Sequence, residues 1–156
     1  MKMLAAARAS ATAIAIAASA CGPSVKDTPK AGTTMSQSII EPYLKIQSAL
    51  ARDSTDDVKA NAGNIATAAT ALGAPAMKID IAAVQLTSAA DLAEARDRFG
   101  ALSEAIVNYM DGLHLTPPEG VRVAMCPMRR QPWLQQGDAI ANPYYGSEMP
   151  TCGDFR

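Results

Sequence analysis

Histidine and tryptophan each occur once in this chain and phenylalanine only twice. A single histidine, His114, cannot build a His-rich metal centre or the usual zinc motifs. No glycine-rich phosphate loop and no recognisable nucleophilic serine motif is present, so hydrolase and nucleotide-binding readings have nothing to stand on. No basic run is longer than Arg129-Arg130, which leaves out the electrostatic footprint of a nucleic-acid binder. Beyond residue 20 there is no apolar stretch near the roughly 20 residues that a helix needs to cross a bilayer.

The N-terminus is what these absences throw into relief. Lys2 and Arg8 are the only charges in its first 20 residues, no acid appears until Asp27, and an uncharged Ala/Ile stretch runs from Ala9 to Ala20. A positive start followed by a short apolar run is the secretory pattern. Ala18-Ser19-Ala20-Cys21 resembles the lipobox of bacterial lipoproteins, with Ala18 where Leu is more usual. That resemblance implies cleavage after residue 20, lipidation of Cys21 and acylation of its new amine. Several acyl chains, at about 0.8 kcal/mol per buried methylene, hold a protein on a membrane where one chain is marginal. The competing reading is an ordinary cleaved signal with an incidental cysteine. Gly22, in place of Asp, resembles the sorting rule that sends lipoproteins to the outer membrane, facing the periplasm. Losing Lys2 and Arg8 with residues 1–20 leaves 12 basic against 15 acidic residues, a formal charge of −3. Residues 21–37, rich in Pro, Gly, Ser and Thr, read as a tether. Residues 38–156 then form one domain with a modest core.

Spacing predicts helices over the first two-thirds of that domain. Ile39, Tyr43, Ile46 and Leu50 recur at three- and four-residue steps, as do Val58, Ala62, Ile65, Ala69 and Leu72. Leu92, Ala95, Phe99, Leu102, Ile106, Tyr109 and Leu113 keep the alternation for three heptads, and a shorter helix fits Ile79 to Leu86. Ser54 and Ser88 read as N-caps, Gly73 with Pro75 as the end of the second helix, and Gly112 as a stop for the last. Arg96 and Asp97 read as surface residues. The expected fold is all-α: three or four helices in an up-down bundle. After Pro117-Pro118 no helical period survives. Val121 to Met125 alternates weakly, as a short strand would, and the remainder to Arg156 reads as an irregular Cys/Met-containing segment.

That segment holds Trp133, Tyr144, Tyr145, Phe155, three of the eight Met and both cysteines other than Cys21. Cys126-Pro127-Met128 and Met149-Pro150-Thr151-Cys152 mirror each other. If the chain folds back, two thiolates and two thioethers converge, and soft sulfur donors select Cu(I). Met125 is a possible fifth sulfur, although its neighbouring strand position points it away. The alternative is a Cys126–Cys152 disulfide without metal, the default for a cysteine pair in an exported protein. Closing that loop of about 25 residues contributes roughly 3 kcal/mol on the chain-entropy account. A Cys126–His114 nucleophilic pair is a third arrangement, but a lone histidine near a helix C-terminus is ordinarily a surface residue favoured by the dipole. Asn142-Pro143 and Gly146 read as turn chemistry, and Trp133, Tyr144 and Tyr145 as the aromatic side chains that pack this segment onto the bundle.

Cys126-Pro127-Met128, Trp133-Leu134-Gln135, Asn142-Pro143-Tyr144-Tyr145-Gly146, Met149 and Cys152-Gly153 together resemble the C-terminal signature of the domain-of-unknown-function family numbered 3347. Upstream, Tyr43-Leu44, Ala49-Leu50, Arg96, Phe99, Leu102 and Ser103 are similar to its helical pattern, so the resemblance spans about residues 38–154. Members are typically exported, and the domain also occurs fused to periplasmic adaptor subunits of copper/silver efflux pumps. The resemblance implies a helical bundle with a Cys/Met tail. It also implies an envelope protein near heavy-metal efflux components, with Cys126, Met128, Met149 and Cys152 as candidate ligands, and the missing catalytic motifs make it an expected non-enzyme. The segment Arg129-Arg130-Gln131-Pro132 looks shorter here than in the family and sets positive charge beside those ligands.

Overall fold

The computed structural model describes residues 33–156. The expected signal peptide, the lipid-bearing Cys21 and most of the tether lie outside them. Four helices come first: α1 (Gln37–Ala51), α2 (Val58–Leu72), α3 (Met77–Thr87) and α4 (Leu92–Leu113). The apolar residues spaced along α1 and α2 are all buried, and so are Ala95, Phe99, Leu102, Ile106 and Tyr109 of α4. The expected short helix is α3, which begins two residues earlier than Ile79 and buries Ile79, Ala82, Ala83 and Leu86.

Helix ends follow local chemistry, sometimes at neighbours of the expected residues. Asp91 caps α4 by accepting the Glu94 N–H at 2.8 Å, and Glu94 accepts the Ala90 N–H at 2.7 Å. Two acids therefore sit at the positive end of that helix. Ser88 instead closes α3, donating to the Gln85 carbonyl. Ser54 accepts the Asp56 N–H in the preceding turn, and Asp57 occupies the N-cap of α2. Gly73, at φ +77°, ends α2 as expected. Helix α4 runs through Gly112 to Leu113 and ends on His114 in the left-handed region, at φ +54°.

The helices pack in sequence, α1 on α2, α2 on α3 and α3 on α4, whereas the backbones of α1 and α4 stand apart and meet through long side chains such as Tyr43 and Phe99. A three-stranded antiparallel sheet closes that gap: β1 (Val121–Cys126), β2 (Gln131–Gln136) and β3 (Asp154–Phe155), in the order β2-β1-β3. Strand β2 packs on both α4 and α1. The all-α bundle with an irregular tail is thus corrected to a mixed α/β fold. The strand signal was hidden for a physical reason. Alternation marks a strand with one wet face, whereas Pro132, Trp133, Leu134 and Gln135 of β2 are all buried. One side meets the helices and the chain that follows folds over the rest. Pro132, normally a mark against a strand, is tolerated because β2 is an edge, where no ladder partner needs its N–H.

The fold also starts earlier than the expected boundary at residue 38. Thr34 forms a parallel bridge with Thr116. The Met35 N–H donates to the Thr116 carbonyl at 2.9 Å, and the Thr116 N–H donates to that of Thr33 at 3.1 Å. Met35 itself is buried, so the end of the presumed tether belongs to the domain. No described helix is long and apolar enough to cross a membrane.

Candidate metal and thiol site

The sheet register brings the two cysteines together. Ala124 pairs with Phe155 and Met125 with Asp154, so one step further sets Cys126 beside Gly153, next to Cys152. Both are free thiols, Cys126 buried and Cys152 half-buried. Burial pushes the Cys152 thiol above its ordinary pKa, and neighbouring Cys126 adds to that rise. Gly153 is required for this approach. A Cβ there would lie 2.4 Å from Cη2 of Trp133 and 3.2 Å from the Met125 carbonyl oxygen.

The residue that holds the pair in place is Asn142, which sequence reasoning took only for turn chemistry. It is fully buried and uses every polar atom it has. Its Nδ2 donates to the Cys152 carbonyl at 2.6 Å and lies 3.4 Å from Cys126 Sγ. Its Oδ1 accepts the Tyr144 N–H at 2.8 Å and the Tyr145 N–H at 3.3 Å. The Asn142 N–H donates to the Pro150 carbonyl, and its own carbonyl accepts the Gly146 N–H. One side chain thus joins both cysteine-bearing segments to the loop between them. Asn142-Pro143 was visible as a turn, but nothing local announces that the amide reaches residues 10 and 16 positions away.

Around this hub, β2 and the helices are bound by further side chains. Gln135 Oε1 accepts from Trp133 Nε1 and from the Ala141 N–H, both at 3.0 Å. The Tyr43 hydroxyl accepts the Leu134 N–H at 3.1 Å and shares a 2.6 Å hydrogen bond with Ser103. Tyr144 donates to the Pro132 carbonyl at 2.5 Å. Tyr43, Phe99, Tyr144 and Trp133 form a chain of ring contacts from α1 through α4 to β2, each step 5.0 to 6.0 Å between centroids. The expected packing role of these aromatics in the tail extends to Tyr43 and Phe99 of the helices.

Arg96, expected on the surface, is largely buried and spans three segments. It donates from Nε to the Pro143 carbonyl at 3.0 Å and from one terminal nitrogen to the Leu50 carbonyl at 3.0 Å and Asp53 at 2.5 Å. Gly146 lies directly over this ion pair, where a Cβ would be 2.0 Å from an Asp53 oxygen. Asp97 does lie at the surface, paired with Arg129, whose guanidinium also sits 5.5 Å from the Tyr144 ring centre. One of the two positive charges beside the cysteines is therefore partnered.

The expected thioether ligands are less committed than the thiols. Met128 lies in the turn joining β1 to β2 and is 62% exposed. Met149 is 36% exposed at the start of the turn in which its carbonyl accepts the Cys152 N–H. His114 is exposed at the end of α4. Among the described residues no group of three or more His, Cys, Asp or Glu that could hold a metal ion converges; of the expected ligand set, the two cysteines are near neighbours and the two methionines are exposed. Compared with known proteins, this chain matches no family model, no curated protein and no solved structure.

Proposed function

We propose that this chain is a non-enzymatic, membrane-anchored lipoprotein of the bacterial envelope that binds and hands over Cu(I) through Cys126 and Cys152. The sheet register that sets Cys126 beside Gly153, next to Cys152, carries the reading. Two thiolates side by side satisfy an ion that prefers soft sulfur, and binding releases their protons. One sulfur is fixed inside the fold and the other is partly open to solvent, which suits an ion that must arrive and leave. Met128 and Met149, a few residues along the chain from Cys126 and Cys152, are exposed thioethers of a flexible side-chain type, suited to transient coordination. The resemblance to the family numbered 3347 and to lipoprotein signals supports the setting near heavy-metal efflux components, on the periplasmic side of the outer membrane. The same juxtaposition favours one other reading, a structural Cys126–Cys152 disulfide in an interaction module that takes no metal.

The two readings separate cleanly. Purify the chain from an oxidising compartment, count free thiols by mass, and titrate Cu(I) against a competing chelator before and after reduction. One-to-one uptake by the reduced protein, lost in Cys126→Ser and Cys152→Ser and weakened in Met149→Leu, is the expected result. A quantitative disulfide with no copper uptake in either state overturns it.

A further inference from the structure

Helix α3 is apolar on both sides. Ile79, Ala82, Ala83 and Leu86 face the core, yet Met77, Ile81 and Val84, at steps of four and three, are 58%, 51% and 53% exposed on the opposite side. A helix with apolar residues all round is ordinarily buried. The only other large apolar side chains so exposed among the described residues are Met128 and Met149. The uncovered stripe is therefore a local property of α3.

Two observations say what covers it. The first is charge. From Val58 to Ala90, which spans α2 and α3, the only charged residues are Lys59, Lys78 and Asp80, although acids outnumber bases beyond residue 20. The outer surface of this helical hairpin thus offers apolar and uncharged polar groups with two lysines, and its one acid is only half-exposed. That composition matches an anionic lipid surface. The second is where the N-terminal segment joins the fold. It enters at Thr33 and Thr34, bridged to Thr116 just beyond α4. The start of α3 lies at the same end, since Pro75, Lys78 and Ile79 line a groove with Gly112 and Leu113. The twelve residues from Cys21 to Thr33 reach at most about 40 Å, against roughly 16 Å for α3 itself.

We infer that the Met77–Ile81–Val84 stripe of α3 is a lipid-facing surface, on which the domain lies against the membrane that holds it. This rests on the lipid-anchor part of the proposed function and is independent of copper. A stripe of three side chains is weak from solution. It suffices once an anchor has raised the local concentration of lipid, because the second contact becomes intramolecular. Strand β2, which closes the gap between α1 and α4, makes no comparable contact with α3. Strand β1, which ends on Cys126, makes none either, so the stripe and the sulfur pair occupy different parts of the fold.

The test uses the full processed chain in phosphatidylethanolamine–phosphatidylglycerol vesicles whose acyl chains are brominated, with tryptophan as the depth probe. The native Trp133 is buried and supplies a constant background. Ile81→Trp should lose fluorescence to the brominated chains and Gln136→Trp, exposed on β2, should not. Adding Val84→Asp to Ile81→Trp should abolish the quenching while circular dichroism stays unchanged. Equal quenching at 81 and 136, or none at 81, overturns the inference, as does cross-linking of two copies through position 81 with no quenching. The mass of the N-terminal peptide reports lipidation separately. A lipidated chain unquenched at 81 sinks this inference alone, whereas an unlipidated chain sinks the anchor and, with it, the inference that rests on it.

Discussion

The helices and the C-terminal segment after Pro118 solve the same packing problem with different materials. Helices α1 to α4 bury an alanine-rich seam, and inside it side-chain hydrogen bonds are few. The C-terminal segment buries fewer residues but fixes them through polar hubs: Asn142, Gln135 and Tyr144 bond to backbone within it, and Tyr43 of α1 bonds to its Leu134 N–H. Small apolar contacts are numerous and individually replaceable. A buried amide that serves several partners is not, because removing it orphans each of them. Stability in the helical part should therefore be spread thinly, while in the segment that carries the sulfur pair it should be concentrated in a few side chains.

The sharpest way to break this contrast is Trp133→Ala, expected to cost about 3–5 kcal/mol, since the ring is fully buried and its loss leaves a large cavity. Urea unfolding measures it, and a cost below 1 kcal/mol would mean that the helices stand without the sheet. Asn142→Ala comes next, at about 3 kcal/mol, because several buried partners lose their bonds together. It should also speed alkylation of Cys126 relative to the parent, read by mass under native conditions. Arg96→Ala should cost about 2 kcal/mol through the abandoned Pro143 and Leu50 carbonyls.

The same cluster has a pH signature. Hydrogen bonding from Ser147, and then from Arg96, holds the Asp53 carboxyl below its usual range. A lowered folded-state pKa contributes stability that is fully present above the unfolded value of about 3.9 and is lost as pH falls through the folded one. The gap between the parent and Asp53→Asn should accordingly be constant near neutrality and close in acid, as urea titrations at several pH values will show. The smallest effect belongs to the helices: Ile65→Val should cost only about 1 kcal/mol.

How far the sequence was legible follows the same divide. The helices were readable because each keeps one wet face, so burial writes a 3.6-residue period into the chain. Even α3 was found, although its outer face is apolar. The sheet was not readable beyond Val121 to Met125. Strand β2 is buried throughout and contains a proline, and β3 is two residues long and pairs with a strand about 30 positions earlier. The cysteine pair could be anticipated by counting, since setting Cys21 aside leaves two. Its supports could not. Asn142 looked like a turn former, and Arg96 like any charged residue in the middle of a helix, because their partners are backbone carbonyls and amides supplied by distant segments.

The bridge between Thr34 and Thr116 has a mechanical meaning. Any drag on a domain held by its N-terminal end is delivered at this point. The paired segments run parallel, so a pull along the chain strains their two hydrogen bonds together, in shear, before either can open alone. Immediately behind them Met35 sits in the core like a knot behind an eyelet. Thr116 lies between α4 and β1, so the load is shared between the helices and the sheet and does not fall first on the loop that frames the sulfur pair.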